Sequence, residues 1–326
     1  MSLSNFVVNN RFLFHLTRNV IHFFYFRKVT HFVRQIKGHE KQFIAKLKKK
    51  RKIIHISKLR YNYQAWSAFY FDNALALSLE ALMKKQFPIL SVETIKDGKI
   101  ILGWNQFFSS TPFSELTQIN EGKEVSQKKT NSLCRPLFSS IYNKKEIEIW
   151  GYCYHLFDLS SDIKPYIAAE EKILANKKVL GVICRGTDYI SLKPKYHPIQ
   201  PNVEDVINEA NELLKSGAYD FIYLATEDQK IKDKFVSFFG KDKILLNKRQ
   251  YYDKKYSELD KGSMDFSVHF NRDNDDFLKG LEYLSSLIIL SKCDSLIGGN
   301  CGGALFSVIY NCNHYKYVHI YKLGEY

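Results

Sequence analysis

GVICRGTDYISLKPKYHP, residues 181–198, is the stretch on which the reading of this chain turns. With Val179 and Leu180 its first residues make a short apolar run, VLGVIC, which predicts a strand buried on both faces of a parallel sheet. The run stops at Arg185, Gly186, Thr187 and Asp188. Ligands of open α/β sheets bind in the crevice beyond the carboxyl ends of the strands, so these residues are placed at a ligand edge. Arg185 is permanently charged and offers a planar fork of donors that matches phosphate. Gly186 lets the backbone come close to a ligand. Asp188 can orient Arg185, cap a turn or take a proton from a substrate. The competing account is a polar turn in which Arg185 and Asp188 form a structural ion pair. On the ligand-facing account Arg185 contributes little to folding.

Working outward from this strand, apolar periodicity predicts helices over 201–216, 231–239, 276–291 and 304–310. Between them, strands are predicted over 221–225, 243–246, 295–298 and 317–321. That alternation means a parallel sheet with helices on both faces. Residues 247–270 are polar and tyrosine-rich and read as a loop. Upstream, strands are expected over 53–56, 87–92 and 99–102, and a helix within 66–85 whose start Asp72 or Asn73 can cap. Residues 115–131 read as a loop, 147–159 as a strand or helix, and 163–178 as an amphipathic helix. The expected fold class is α/β, with two Rossmann-like domains behind a basic helical arm. The boundaries are 1–57 for the arm, 58–170 for a first α/β domain and 171–326 for a second.

Two further strand ends carry candidate chemistry. Thr226, Glu227 and Asp228 follow the 221–225 strand, where an acid either holds a ribose or base edge or caps the next helix. Residues 298–303, GGNCGG, join a strand to a helix. Gly299, Asn300, Gly302 and Gly303 there either present backbone amides and a helix N-terminus to a phosphate or simply make a tight turn. His197 either meets substrate or braces the turn with Pro198. Trp104, Phe107 and Phe108 form an aromatic cluster that reads as core or as part of a site.

Arg185-Gly186-Thr187-Asp188 followed by His197-Pro198-Ile199 resembles the RRTD…HPI signature of the α1,6-fucosyltransferases and nodulation fucosyltransferases. Residues 223–228, YLATED, resemble that family's YLATDD, and 290–294 with the glycine turn resemble its LSxxD strand and loop. The resemblance implies a GT-B fold, a GDP-sugar donor, no permanently bound cofactor and no metal. The chain departs from the pattern at four places. Ile183 stands at the first histidine of HxRRTD, Gly186 at the second arginine, and Lys193 at the position of the family's catalytic base. The aspartate that the family places near guanine aligns with Ser286.

The net charge is +14 over 326 residues, and it is concentrated at the N-terminus: residues 1–52 carry thirteen Lys or Arg and a single acid, Glu40. Leu13, Leu16, Val20, Phe23, Val29, Phe32, Val33 and Ile36 recur among these cations at helical spacing. Such a segment lies on an anionic membrane surface, packs on the body with a solvated basic face, or binds nucleic acid. The last lacks any accompanying motif. No apolar run is long enough to span a bilayer. Six cysteines without a CxxC pair are expected to be buried thiols in a reducing compartment.

These readings combine into an inverting glycosyltransferase of bacterial surface-polysaccharide synthesis, cytoplasmic and peripheral on the inner face of the membrane. It would take a nucleotide sugar, GDP-fucose being favoured, and a glycan acceptor, with Arg185 and Asp188 catalytic. The alternatives are a GT-B transferase with another activated donor, or a non-catalytic membrane- or polyanion-binding protein on the same fold.

Overall fold

The computed structural model describes residues 11–49, 53–62, 68–96, 99–114, 123–126, 135–186, 190, 193, 195–252 and 268–326. Its helices are α1 (Arg11–Ile36), α2 (Glu40–Lys49), α3 (Ala68–Met83), α4 (Lys144–Tyr154), α5 (Lys164–Glu171), α6 (Val203–Lys215), α7 (Gln229–Phe239), α8 (Asp275–Ser291) and α9 (Gly302–Tyr310). The strands are β1 (Ile53–Asn62), β2 (Phe87–Lys96), β3 (Lys99–Gly103), β4 (Lys123–Ser126), β5 (Val179–Ile183), β6 (Phe221–Ala225), β7 (Ile244–Leu245), β8 (Ser295–Gly299) and β9 (Val318–Tyr321).

The two expected α/β sheets are present. The second has the order β7-β6-β5-β8-β9 with every neighbouring pair parallel. All five residues of β5 and of β8 are buried, as apolar runs covered on both faces require. The chain passes from β5 outward to β6 and β7, then returns to β8 on the other side of β5. The gap between β5 and β8 is therefore the topological switch point, where an α/β sheet opens a crevice.

The first sheet has the order β3-β2-β1-β4. β1 runs parallel to β2 and β4, and β3 closes the far edge antiparallel to β2. β4 lies inside the polar stretch expected to be loop, and the rest of 115–131 is outside the described residues. The α3 helix, AFYFDNALALSLEALM, is rich in strong helix formers and starts at Ala68. Asp72 and Asn73 are consequently inside the helix and buried, not at its cap, because Tyr70 and Phe71 ahead of them are also core residues.

One apolar core joins the two halves. Phe71 of α3 meets Phe306 of α9 at 5.4 Å between ring centroids, Tyr154 of α4 meets Phe306 at 5.5 Å, and Phe107 stacks on Phe277 of α8 at 5.4 Å. Trp104, Phe107 and Phe108 are all buried there, so the aromatic cluster is core. Of the predicted arm, α1, α2 and the first residues of β1 are described, and α1 packs into the same core. Val29, Phe32, Val33 and Ile36 are its buried face, while Leu16, Val20, Phe23 and Phe24 point outward.

Candidate active site

The carboxyl ends of β5 and β8 bring together the two motifs singled out in the sequence. Arg185 lies two residues beyond β5, and the glycine turn leads from β8 into α9. The turn has no room for side chains at its start. Gly298 has φ +137°, and a Cβ there would sit 2.0 Å from the Ile183 carbonyl oxygen. A Cβ on Gly299 would fall 2.1 Å from Gln200 Oε1. Gly302, by contrast, has only Ala68 Cβ within reach, at 3.9 Å. The first residue of α3 therefore approaches the first residue of α9, and two helix N-termini converge on the crevice. Burial pushes the Cys301 thiol pKa up, against the opposing pull of the Ala304 and Gly303 amides and of Arg185.

Arg185 does form an ion pair, with Glu227. Its Nη1 is 3.2 Å from Glu227 Oε2. The Gly186 amide donates to the other oxygen at 3.0 Å. Glu227 is 5% exposed, so its carboxylate brackets the turn after β5 from within. Arg185 thus holds structure as well as facing the crevice, and the expectation that it contributes little to folding is corrected. Gly186 is required for a local reason: a Cβ would meet Asp228 Oδ2 at 2.6 Å. Asp228 caps α7, accepting from the Lys230 and Ile231 amides at 2.7 and 3.1 Å. Thr226 Oγ1 accepts from the Asp228 amide at 3.2 Å. Thr187 and Asp188 lie outside the described residues.

His197 belongs to a rim segment that crosses in front of the turn. The His197 carbonyl accepts from the Tyr326 amide at 3.1 Å, and its ring stands edge-on to Phe138 at 6.2 Å. Burial pushes the imidazole pKa down and nearby Arg135 lowers it further, against the opposing pull of Glu325. Three residues on, Gln200 Nε2 donates to the Pro198 and Asn300 carbonyls at 3.1 and 2.7 Å and ties the rim to the glycine turn. Asn300 is itself buried.

The sequence reading missed three participants. Arg249 follows the carboxyl end of β7 and, with Arg185, Glu227, Ser286 and Cys301, lines a cavity of about 20 Å³ under the turn, the size of one water. The strand-end rule that picked out Arg185 would have found it. Across the crevice, Tyr154 donates to Asp72 at 2.5 Å, and Arg135 stands 3.5 Å from the other Asp72 oxygen. Burial raises the Asp72 pKa to about 6 although both partners pull it down. No motif marks Asp72 or Arg135. The larger cavities, of about 550, 470 and 430 Å³, lie at the start of α8, beside the α1–α2 turn and around Cys312, and none is lined by Arg185, Glu227 or the glycine turn.

No family model matches this chain, and no curated protein matches it. Among solved structures it is similar to POFUT1 in complex with GDP-fucose, with a TM-score of 0.48 and 9% identity over 84% of this chain and 98% of that one. It is similar to POFUT1 in complex with GDP at a TM-score of 0.47 and 10% identity, over 84% of this chain and 99% of that one. It is also similar to the fucosyltransferase NodZ from Bradyrhizobium, at a TM-score of 0.44 and 10% identity over 80% and 93% of the two chains.

Proposed function

We propose that the chain is an inverting glycosyltransferase that binds a nucleoside-diphosphate sugar at the β5–β8 switch point. One observation carries this reading. The arginine and the glycine turn, each the best candidate for a diphosphate in the sequence, end adjacent strands at the crevice of a parallel sheet. Arg185 meets the charge that grows on the leaving diphosphate as the glycosidic bond breaks. The N-terminus of α9 adds its dipole to the same charge, so the leaving group needs no metal. Displacement passes through an oxocarbenium-like transition state, and a base takes the acceptor hydroxyl proton. Asp188 is assigned that role by its place in RGTD, nine residues ahead of His197.

The motif resemblance favours GDP-fucose as donor and a glycan as acceptor, in bacterial surface-polysaccharide synthesis at the inner face of the membrane. A thermal-shift screen against GDP, UDP, CDP and TDP tests the donor. The expected result is a rise in melting temperature with GDP above the other three, since a ligand of the native state stabilises by mass action. A response to UDP alone would keep the transferase and replace the donor. No response to any diphosphate would leave the fold as a binding scaffold and end the proposal.

A further inference from the structure

Helix α1 has two apolar faces, and only one of them is covered. Val29, Phe32, Val33 and Ile36 are buried in the core. Leu16, Val20, Phe23 and Phe24 are 48, 45, 55 and 58% exposed. Spacings of four and three place Leu16, Val20 and Phe23 on one line along the helix, and Arg27 and Arg34 extend it. Both arginines are exposed, and the Arg27 guanidinium lies 5.7 Å over the Phe23 ring. Lys28, Lys37, Lys41, Lys46, Lys48 and Lys49 add exposed charge on α1, the following turn and α2. Acidic residues are nearly absent there: Glu40 accepts from Tyr152 and faces the body.

The same helix builds the crevice rim. Phe14 stacks on Tyr196 at 4.7 Å, and His15 reaches Glu325 at 3.1 Å. Tyr196 sits at φ +65° just ahead of His197, a strained position for a bulky residue that the Phe14 stack holds. Through Gln200 this rim continues into the glycine turn. From Phe14 to Phe24 is roughly 15 Å along the helix axis.

We propose that the outer face of α1 lies on an anionic lipid bilayer and that the crevice then opens at the bilayer surface, so that the acceptor is a glycan carried on lipid. Only the acceptor clause rests on the transferase reading. The charge pattern selects the occupant. Apolar side chains ringed by cations match acyl chains beneath anionic headgroups. A second copy would need about 800 Å² per partner, far more than four half-exposed side chains supply. It would also set arginine against arginine.

The test uses the full chain and phosphatidylcholine vesicles with or without phosphatidylglycerol. Sedimentation is expected with phosphatidylglycerol only and is lost in high salt. The double variant Phe23→Ser/Phe24→Ser should lower partitioning by about tenfold or more, with its melting temperature unchanged. Arg27→Gln and Arg34→Gln should each lower it about fivefold. Phe238→Ser, on the equally exposed Phe238 of α7, should leave it unchanged. A fluorophore on Lys195→Cys, at the rim, should be quenched by a lipid-borne quencher, while one on Lys241→Cys, at the opposite end of the second sheet, should not. Undiminished binding by the phenylalanine pair, equal quenching at both labels, or self-association that needs Phe23 and Phe24 would each overturn the proposal. Nucleotide binding, read without vesicles on the same variants, reports separately on the transferase reading.

Discussion

Glu227 and Asp72 are both buried carboxylates that meet an arginine, one from each half of the crevice, and they are held in opposite ways. Glu227 has the Arg185 guanidinium at 3.2 Å on one oxygen and the Gly186 amide at 3.0 Å on the other. Asp72 has a neutral donor close, the Tyr154 hydroxyl at 2.5 Å, and its arginine farther off at 3.5 Å. Desolvation acts on any carboxylate taken out of water. At Asp72 burial outweighs the donors, so the carboxyl keeps its proton up to about pH 6. The difference shows that an Asp–Arg or Glu–Arg pair read from sequence says little until the distances are known. One is a bracket for a loop, and the other is a proton-holding group within a helix.

The comparison is broken most directly at Arg185. Arg185→Ala should lower turnover of the sugar nucleotide by ~10²–10³-fold and also lower stability by about 3 kcal/mol, because Glu227 is left buried without its cation. Arg185→Lys keeps the charge, loses the fork, and should recover stability more than turnover. Steady-state kinetics and thermal melts on both variants check this. A fully active Arg185→Ala would remove the arginine from the mechanism, and a melt like that of the parent would show that Glu227 does not depend on it.

At Asp72 the effect should appear as a pH dependence. The folded-state pKa is raised from 3.8 to about 6, so the folded protein holds a proton that the unfolded chain releases. Stability therefore falls as pH rises from about 4 to about 6, and is level beyond. The rise corresponds to ~3 kcal/mol. Asp72→Asn cannot titrate, so its melting temperature should climb relative to the parent across that window. Parallel melting curves from pH 4 to 7 would mean that the Asp72 proton is not retained.

The smallest effects are expected at the glycine turn. Gly302 begins α9 with room for a methyl group, which would meet only Ala68 Cβ at 3.9 Å, so Gly302→Ala should fold as well as the parent or gain up to about 1 kcal/mol. Its affinity for a nucleoside diphosphate should fall severalfold while that for the free nucleoside holds, because the new methyl group stands where phosphate approaches the amides. Gly298→Ala is the control, since its Cβ would collide with the Ile183 carbonyl. Equal losses for both ligands in Gly302→Ala would make the turn structural only.

The second sheet was readable because its strands are short apolar runs buried on both faces, and the polar residues that end them stand out. β4 was not, since KEVS is four residues of mixed polarity with no apolar run. α1 misled in an instructive way. Leu16, Val20 and Phe23 belong to its outer face, and Val29, Phe32, Val33 and Ile36 to its inner one, so one apolar series was in fact two. Glu227 was found by motif, but its role depends on a contact 42 residues back in the chain, at Arg185. Arg135 had no pattern to reveal it, because what gives it a role is Asp72, 63 residues away.

The aromatic junction of Phe71, Tyr154 and Phe306 bears on motion. A large apolar contact between halves couples them, whereas small polar contacts leave domains free to swing. Here the core runs unbroken from α1 through α9, so bending one half away from the other would expose Phe71 and Phe306 to water. Opening of the crevice then falls to short rim segments, whose rearrangement takes nanoseconds to microseconds, and not to the slower closure of whole domains.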